Sequence, residues 1–483
     1  MSTEKAIPTW AAQLRCDLEK MAEEVTAALT GWNVSDRVVT PEEFGYTGEG
    51  KATAAIQAAV DYAAAQGGAT VRLAKGDYVS GTIDMRSNVR LEVAKGARLL
   101  GSLDLADYPL RVAKRRTVMD TNMEMHQSLI FAEGCSNISL CGEGIIDGRG
   151  SRENFPGDET QGSTPGRPFL IRVIDCADVH ICDITLKDSP CWMQNYLNCD
   201  RVLIEGIRVE NQANFNNDGI DVDSCRTVLI RNCSINSGDD AICFKGAGER
   251  MCENVLVENN TCYSSCNAIK IGTDTQGSFR NFLVRNCKIG GISEEMRHVK
   301  PVGCDSGITW VMVDGGTVEN LLVTNVDIVR ARSPFYLRMD DRGRVKPEDP
   351  KPPVGTLRNI VFEHITGSDN GPRGSYFLGI PAKSIERVVL HDVHLTQRAS
   401  QKPVSTEEMF GEMYLVYPDA HMLGDLCELR EKKGGEVPVS DEAPAYGLWA
   451  KYVKELTMID YQVTPIGEEK RPEYLMKTEV ELN

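Results

Sequence analysis

Three aspartates have the residue type and the spacing that catalysis needs. Asp218 lies 21 residues before Asp239 and 22 residues before Asp240. If the fold brings them together, they cannot all have an ordinary pKa, because each ionised carboxylate disfavours ionisation of its neighbour. One of them is then expected to keep its proton near neutral pH. A protonated carboxyl beside two ionised ones is the arrangement that hydrolyses glycosidic bonds.

A repeated strand pattern supplies the element that positions these aspartates. An apolar, β-branched octapeptide recurs, and its copies begin at residues 179, 202, 228, 255, 282, 321, 360 and 388. Repeats of this length are typical of solenoids, and each copy is too short for a helix. The sequence therefore predicts an all-β fold, a right-handed parallel β-helix. Residues one coil apart stack at about 4.8 Å, which would place Asp218 beside Asp239 and Asp240.

The rest of the chain is predicted to cap and extend the solenoid. Residues 1–40 form a helical extension with an amphipathic helix at 9–30, and 41–483 form a single catalytic domain. Within it, 51–68 is a capping helix, about 402–440 is a loop insertion, and 443–463 is the last coil. An open solenoid end needs such a cap. Asparagines at equivalent bends are expected to form a ladder of side-chain amides: Asn232, Asn259, Asn286 and Asn325.

Aspartates also occur at β-helix bends and in calcium sites, so each has an alternative interpretation. For Asp221 and Asp223 we favour the interpretation as turn residues. For the other three we favour function, because the two groups align across coils. The flanking glycines, Gly219 and Gly238, are expected to allow tight bends and to leave room above the carboxylates.

The composition excludes some classes of binding partner and indicates the cellular compartment of the protein. The formal net charge of −17 argues against nucleic acid and against an anionic membrane surface. It also makes a polyanionic substrate unfavourable unless a basic pocket compensates. The N-terminus has no signal-peptide pattern, and the sixteen cysteines lie mostly in β-like runs as reduced thiols. We therefore expect a cytoplasmic protein.

The sequence says less about cofactors and about oligomerisation than about the fold. Cys262 and Cys266 are four residues apart, but no second pair or histidine follows at the spacing of a zinc site. The sequence predicts no metal and no other cofactor. The expected partner is a carbohydrate substrate, and the sequence leaves homo-oligomerisation open.

The aspartate motifs match a known family. N-x-D-G-I-D at 216–221, followed by G-D-D-A-I at 238–242, resembles glycoside hydrolase family 28, the polygalacturonase family of the pectin-lyase-like β-helix superfamily. Further landmarks follow in the family's order over most of the chain, at 44–81, 142–150, 167–171, 189–195, 444–449 and 470–472.

The resemblance implies a hydrolase that inverts the anomeric carbon. Asp239 would be the general acid that protonates the leaving oxygen. Asp218 and Asp240 would hold and deprotonate the attacking water, and Asn216 of the same motif would contact the substrate. Reasoning from spacing alone gives the same three carboxylates without assigning their individual roles.

Two departures from the family pattern concern substrate recognition. Asn267 stands where the family has the histidine of its G-H-G motif, and 305–316 contains no counterpart of the R-I-K cations that hold the substrate carboxylate. Replacement cations are available at Lys245, Lys270, Arg338 and Arg342. Lys270 has a solvated strand edge as its alternative interpretation.

Trp192 is a candidate platform for a sugar ring, and simple packing is its alternative. Taken together, these residues predict an inverting glycosidase that is exo-acting on short oligosaccharides or glycosides with a neutral terminal sugar. One alternative is an exo-galacturonidase acting on pectin-derived oligogalacturonides. Alternatives of another class are a β-elimination lyase and a non-catalytic carbohydrate-binding β-helix.

Overall fold

The computed structural model describes most of the chain. The predicted insertion at about 402–440 lies, apart from residue 402, outside the described residues. No helix among the described residues is both long and apolar enough to cross a lipid bilayer. The described ranges are 6–30, 35–115, 117–118, 126–157, 166–248, 250–291, 304–346, 348–402 and 442–482.

The chain forms two compact units. Met21–Thr261 is here called the N-terminal unit, and Met1–Lys20 together with Cys262–Asn483 is called the C-terminal unit. The division into an extension at 1–40 and one catalytic domain at 41–483 stays a prediction.

Two α-helices are described, α1 (Thr9–Ala28) and α2 (Thr53–Ala65). Helix α2 packs against the first strands of the N-terminal unit and stops before Gly67, whose φ of 80° only glycine adopts readily. It is the capping helix that the sequence predicted. Its buried face is made of Ala55, Ile56, Ala59, Val60 and Ala63.

The first residues of helix α1 belong to the C-terminal unit, and they contact strands of that unit through charged side chains. Arg15 forms an ion pair with the buried Glu363, and Glu19 pairs with Arg285 at 2.6 Å. The amphipathic helix predicted at 9–30 is therefore present and packed.

Short parallel strands build the N-terminal unit. They are β1 (Val38–Val39), β2 (Ala69–Leu73), β3 (Gly76–Ser80), β4 (Ile83–Asp84), β5 (Val89–Val93), β6 (Ala97–Gly101), β7 (Ser128–Glu133), β8 (Ser136–Cys141), β9 (Ile145–Asp147), β10 (Phe169–Ile174), β11 (Ala177–Cys182), β12 (Thr185–Lys187), β13 (Gln194–Leu197), β14 (Asp200–Glu205), β15 (Arg208–Asn211), β16 (Ile220–Asp223), β17 (Arg226–Arg231), β18 (Ser234–Ser237), β19 (Ile242–Gly246) and β20 (Cys252–Glu258).

Every third strand of this unit stacks on its predecessor, as a three-sided coil requires. Val179 pairs with Val202, Val202 with Val228, and Val228 with Val255. These are the first residues of the repeats found in the sequence, so the predicted register is confirmed. All four valines are fully buried, and each burial contributes roughly 1.5–3 kcal/mol.

Longer strands build the C-terminal unit. They are β21 (Thr261–Ser264, whose first residue belongs to the N-terminal unit), β22 (Asn267–Thr275), β23 (Phe279–Gly291), β24 (Ser306–Met312), β25 (Thr317–Val329), β26 (Ser333–Met339), β27 (Thr356–Asn370), β28 (Ser375–Leu378), β29 (Ile385–Arg398), β30 (Leu448–Ile466) and β31 (Tyr474–Leu482).

The repeats of the C-terminal unit also keep the predicted register. Strands β23, β25, β27, β29 and β30 stack in parallel, and the paired residues are Phe282, Leu321, Ile360, Val388 and Leu456. Strand β30 occupies the place of the predicted last coil. That prediction was incomplete, because β31 follows and pairs in parallel with β30.

The four asparagines of the predicted ladder lie at bends, and one side-chain bond of the ladder is described. Asn232, Asn259, Asn286 and Asn325 all have φ between 52° and 57°, the left-handed region that asparagine tolerates. The Asn325 amide donates to Asn286 Oδ1 at 2.7 Å. Parallel pairing and stacked bends together confirm an all-β, right-handed parallel β-helix with an N-terminal capping helix.

Candidate active site

The backbone at Asp218 is held between neighbouring coils of the N-terminal unit. Its carbonyl oxygen accepts from the Met193 amide at 3.0 Å. On the other side, Gly219 N donates to Asp240 O at 2.8 Å, and Asp239 N donates to Asn217 O at 3.2 Å. The two aspartate groups therefore lie on adjacent coils, as their spacing predicted.

Gly219 is required by a close approach of these coils. A Cβ at this position would lie 2.5 Å from Ala241 O and 2.8 Å from a methyl group of Ile235. Both distances are too short for any side chain. The reason for the glycine is thus the contact between coils, whereas the sequence suggested a tight bend.

Buried amides support the loop that carries Asp218. Asn217 is fully buried and donates to Ser189 O at 2.9 Å and to Cys191 O at 3.0 Å. Asn211 donates to Asp218 O at 2.8 Å and accepts from Ser189 N at 3.0 Å. Leaving such a buried group unpaired costs about 1–3 kcal/mol, so these bonds fix the loop. Sequence reasoning missed both asparagines, although Asn217 directly precedes Asp218.

Asn216 adopts a left-handed conformation with φ of 50° and turns its side chain to Arg167. Arg167 donates to Asn216 Oδ1 at 2.9 Å and to Phe215 O at 2.8 Å, and only 3% of it is exposed. Arg167 therefore anchors this loop and was missed as a positioning residue, although it begins one of the family landmarks. The predicted contact of Asn216 with substrate stays a prediction.

The three candidate catalytic aspartates differ in exposure. Asp218 and Asp240 are buried, whereas Asp239 is half-buried. One oxygen of Asp239 accepts from the Asp240 amide at 3.0 Å, which fixes the orientation of this carboxyl. Asp239 is thus the most accessible of the three to a bound molecule.

Burial and neighbouring charge raise the pKa of Asp218 well above its ordinary value. Burial is the main cause, and repulsion from Asp221, Asp239 and Asp240 adds to it against the opposing effect of Lys245. Asp218 Oδ1 is buried and has no hydrogen-bond partner among the residues that the structure describes. A carboxyl that retains its proton was predicted from the spacing, and Asp218 has the environment that produces one.

Asp221 is part of the same charged cluster, and its prediction as a turn residue was wrong. It lies in strand β16 and is fully buried. Burial raises its pKa to about 7, with repulsion from Asp240 and Asp239 adding to the shift, while Lys245 opposes it. Lys245 Nζ lies 3.5 Å from Asp221 Oδ1, which makes an ion pair without a good hydrogen bond.

Asp223 ends the same strand and is also buried. It accepts from Ser224 Oγ at 2.8 Å and from the Gly248 amide at 3.2 Å. These bonds fix the bend that follows β16, which agrees with the structural role expected for this residue.

Trp192 packs inside the unit and holds Lys245. Its ring stacks on Phe169 with centroids 5.3 Å apart and planes 5° apart, and only 4% of the residue is exposed. Lys245 Nζ lies 4.6 Å from the centre of the Trp192 ring, within the range of a cation–π contact. Trp192 is therefore a packing residue, which was its alternative interpretation, and its ring is not a free platform for a sugar.

Asn267 and Lys270 are both buried residues of the C-terminal unit. Asn267 accepts from Thr309 Oγ1 at 2.8 Å and donates to Cys266 Sγ at 3.2 Å. Lys270 is 7% exposed and pairs in register with Thr309. The solvated strand edge is therefore wrong for Lys270. Contact of either residue with substrate stays a prediction.

Arg338 and Arg342, in the same unit, each have an internal carboxylate partner. Arg338 is 1% exposed and bonds to Asp340. Arg342 donates two hydrogen bonds, of 2.9 Å and 2.7 Å, to the carboxylate of the fully buried Asp314. Their charges are thus already balanced, which weakens the prediction that they hold a substrate carboxylate.

The structure assembles part of the predicted site within one unit. Asp218 interacts electrostatically with Asp239, Asp240 and Lys245, and Lys245 contacts Trp192. The remaining predicted residues belong to the C-terminal unit, and their participation is a separate prediction: Asn267, Lys270, Arg338 and Arg342. The assembled set can hold a proton on one carboxyl while others orient a water molecule, which is the requirement for inverting glycoside hydrolysis.

The known proteins that this chain resembles in sequence and in structure include polygalacturonases. A probable polygalacturonase of Vitis vinifera is 26% identical over 392 residues, covering 76% of this chain and 77% of that protein. The exo-poly-alpha-D-galacturonosidase of Dickeya chrysanthemi is 22% identical, covering 69% of this chain and 63% of that protein. The crystal structure of a hyperthermoactive exopolygalacturonase from Thermotoga maritima superposes with a TM-score of 0.66 at 20% identity, covering 79% of this chain and 91% of that one.

The family model for glycosyl hydrolases family 28 matches residues 84–409, which is more than half of the chain. The match includes all three candidate catalytic aspartates. Hydrolysis of glycosidic bonds is thereby favoured over the lyase and non-catalytic alternatives. The chain belongs to family 28 of the glycosyl hydrolases.

Proposed function

We propose that the protein is an inverting, exo-acting hydrolase that removes terminal galacturonic acid from short pectin-derived oligosaccharides. One observation carries the catalytic part of the proposal. Asp218 and the pair Asp239-Asp240 lie on adjacent coils, where burial and repulsion between carboxyls raise the pKa of Asp218. Such a cluster holds a proton and an ionised base close together, as acid–base hydrolysis requires.

In the proposed reaction, Asp239 donates its proton to the glycosidic oxygen as the bond to the anomeric carbon breaks. Its half-buried position supports this role, because the leaving oxygen must reach it. Asp218 and Asp240 orient a water molecule on the opposite side of the sugar, the water oxygen forms the new bond to the anomeric carbon, and Asp240 takes the proton that the water releases. Inversion requires the acid and the base to lie about 6.5–9.5 Å apart, so that water fits between them.

Lys245 and Asp221 set the charge of this cluster. The lysine opposes the repulsion among the four aspartates, and its contacts with Asp221 and Trp192 hold it in place. In its ionised form Asp218 depends on this cation, because burial otherwise favours the protonated acid. With Lys245 present the pKa of Asp218 still lies well above its ordinary value, so we assign Asp218 to orienting the water and Asp240 to accepting its proton.

The substrate part of the proposal rests on the relatives. The Dickeya protein is named as an exo-poly-alpha-D-galacturonosidase and the Thermotoga protein as an exopolygalacturonase. Because this chain has diverged from both, the terminal sugar needs its own test. Short substrates suit the proposed cytoplasmic location, which also agrees with the free thiols of the described cysteines.

A neutral terminal sugar is the second candidate, and one observation favours it. Arg338 and Arg342 are each engaged by an internal carboxylate, and Lys245 by Asp221. A substrate carboxylate would have to compete with these partners in an acidic protein. A neutral sugar avoids this competition.

Hydrolysis of a galacturonic acid trimer, compared with a panel of neutral glycosides at the same concentration, tests the proposal. We expect the trimer to be cleaved fastest, with galacturonic acid and dimer as the first products. Faster cleavage of any neutral glycoside would replace the first candidate with the second. The Asp239→Asn variant serves as the control for contaminating activity in both arms.

A further inference from the structure

A histidine and two aspartates of the C-terminal unit form a cluster apart from the proposed chemistry. Asp392 and His394 lie on β29, and Asp460 lies on the neighbouring β30. His394 Nε2 is 3.0 Å from Asp460 Oδ2 and 3.6 Å from Asp392 Oδ1. One ligand atom from each of the three residues lies within 4.8 Å of the other two. We propose that they form a binding site for one divalent transition-metal ion, with zinc as the test ion.

The spacing of the three atoms suits zinc. Zinc binds histidine nitrogen and carboxylate oxygen at about 2.0–2.2 Å in a tetrahedral arrangement, which places neighbouring ligand atoms about 3.3 Å apart. The two measured separations lie on either side of that value. Three protein ligands leave a fourth position for water, and the exposure of the cluster, with side chains 45–49% accessible, lets an ion enter.

Each carboxylate is already oriented by a neighbour. His364 Nδ1 lies 2.6 Å from Asp392 Oδ2, and Gln462 donates to Asp460 Oδ1 at 2.7 Å. In both aspartates the second oxygen is the one that faces His394 Nε2. Outer partners that fix the ligands in this way are typical of metal sites.

The backbone conformation accounts for the presence of aspartate at the two bends, but it does not account for the presence of histidine at His394. Asp392 and Asp460 continue the ladder of left-handed bends, with φ of 52° and 50°, where aspartate is common without any ligand. His394 lies two residues after Asp392 in regular strand geometry, in register with Gln462. A strand position imposes no preference for histidine, so its imidazole between the two carboxylates is an independent observation.

Charge also distinguishes this cluster from other histidine–carboxylate contacts. Glu205 contacts His180 but is paired with Arg231, and Glu363 near His391 is paired with Arg15. Within the described part of the chain, neither Asp392 nor Asp460 has a lysine or arginine partner. A divalent cation would place two positive charges between these carboxylates and connect β29 to β30.

Zinc titration of tag-free, EDTA-treated protein tests the proposal by isothermal calorimetry near pH 7.5. Cys16 is exposed and should be replaced by serine in all samples to remove a competing thiol. We expect one zinc ion per chain, bound at micromolar or lower concentration. His394→Ala should abolish this binding, and Asp460→Asn should weaken it at least tenfold, whereas the control His180→Ala should leave it unchanged.

Thermal unfolding provides a second readout that does not depend on activity. Saturating zinc should raise the Tm of the parent protein by a few degrees and should not raise that of His394→Ala. Circular dichroism of the variants without metal checks that they fold. Absence of binding up to about 1 mM zinc, or binding that survives His394→Ala, would overturn the proposal and leave an ion-paired histidine between two carboxylates.

Discussion

Buried carboxylates have different charged partners in the two units of the chain. In the C-terminal unit, Asp314 is fully buried and is bound by both ends of the Arg342 guanidinium. In the N-terminal unit, Asp218 and Asp221 are equally buried but face two more aspartates with Lys245 as the opposing charge. Full pairing stabilises a fold, whereas incomplete pairing keeps protons available. The difference supports the proposal that the chemistry takes place at the N-terminal cluster.

The largest expected effect concerns the proposed acid. Asp239→Asn should lower the turnover number by about 10³-fold or more, because the amide has nearly the same shape but cannot donate the proton. Initial rates on the best substrate of the panel measure this loss. Asp327→Asn, at an exposed carboxylate of β25, is the control and should retain full activity. Activity within about tenfold of the parent would remove Asp239 from the role of acid.

The next effect contrasts the two kinds of buried carboxylate directly. Asp314→Asn should lower the free energy of unfolding by about 3 kcal/mol, because it leaves the Arg342 charge without its partner. Asp221→Asn should change it by less than about 1 kcal/mol near pH 7.5, because the loss of one buried charge offsets the loss of the Lys245 contact. Urea unfolding followed by circular dichroism measures both. Equal losses would mean that the two clusters are alike.

A third contrast concerns the dependence of stability on pH. The folded pKa of Asp221 is about 7, above its ordinary value, so the folded state binds more protons than the unfolded state between about pH 4 and 7. Asp221 therefore contributes stability at low pH that is lost as the pH rises through this window.

Asp221→Asn removes this titration. The Tm of the variant minus that of the parent should rise from pH 4 to about pH 7 and then stay level. Scanning calorimetry at steps of half a pH unit gives the curve. A difference that is constant across the window would show that Asp221 titrates normally in the folded protein.

Much of the fold followed from the sequence because its determinants are local and repetitive. The octapeptides that begin at Val179 and Val202 are apolar strands whose spacing equals one coil, so their register could be predicted. The position of Asp218 next to Asp239 and Asp240 follows from the same spacing. These inferences need only a period and the geometry of stacked strands.

Residues whose roles depend on pairing across coils were beyond sequence reasoning. Asp221 looks like a turn residue, and only the contact with Lys245 one coil later shows it in a charged cluster. Arg342 looks free until Asp314 is seen beside it. Trp192 looks like a sugar platform, yet the ring of Phe169 in β10 stacks on it. Such contacts depend on side-chain direction, which a repeat does not specify.

The central claim is that Asp218 and Asp240 deliver water to the sugar and do not attack it themselves. The anomeric configuration of the first-formed product tests this claim most directly. Proton NMR spectra recorded within the first minutes of hydrolysis, before mutarotation, distinguish the two anomers. The account predicts a product of inverted configuration. A product that retains the configuration of the substrate would indicate a covalent intermediate and contradict the assigned roles of the three aspartates.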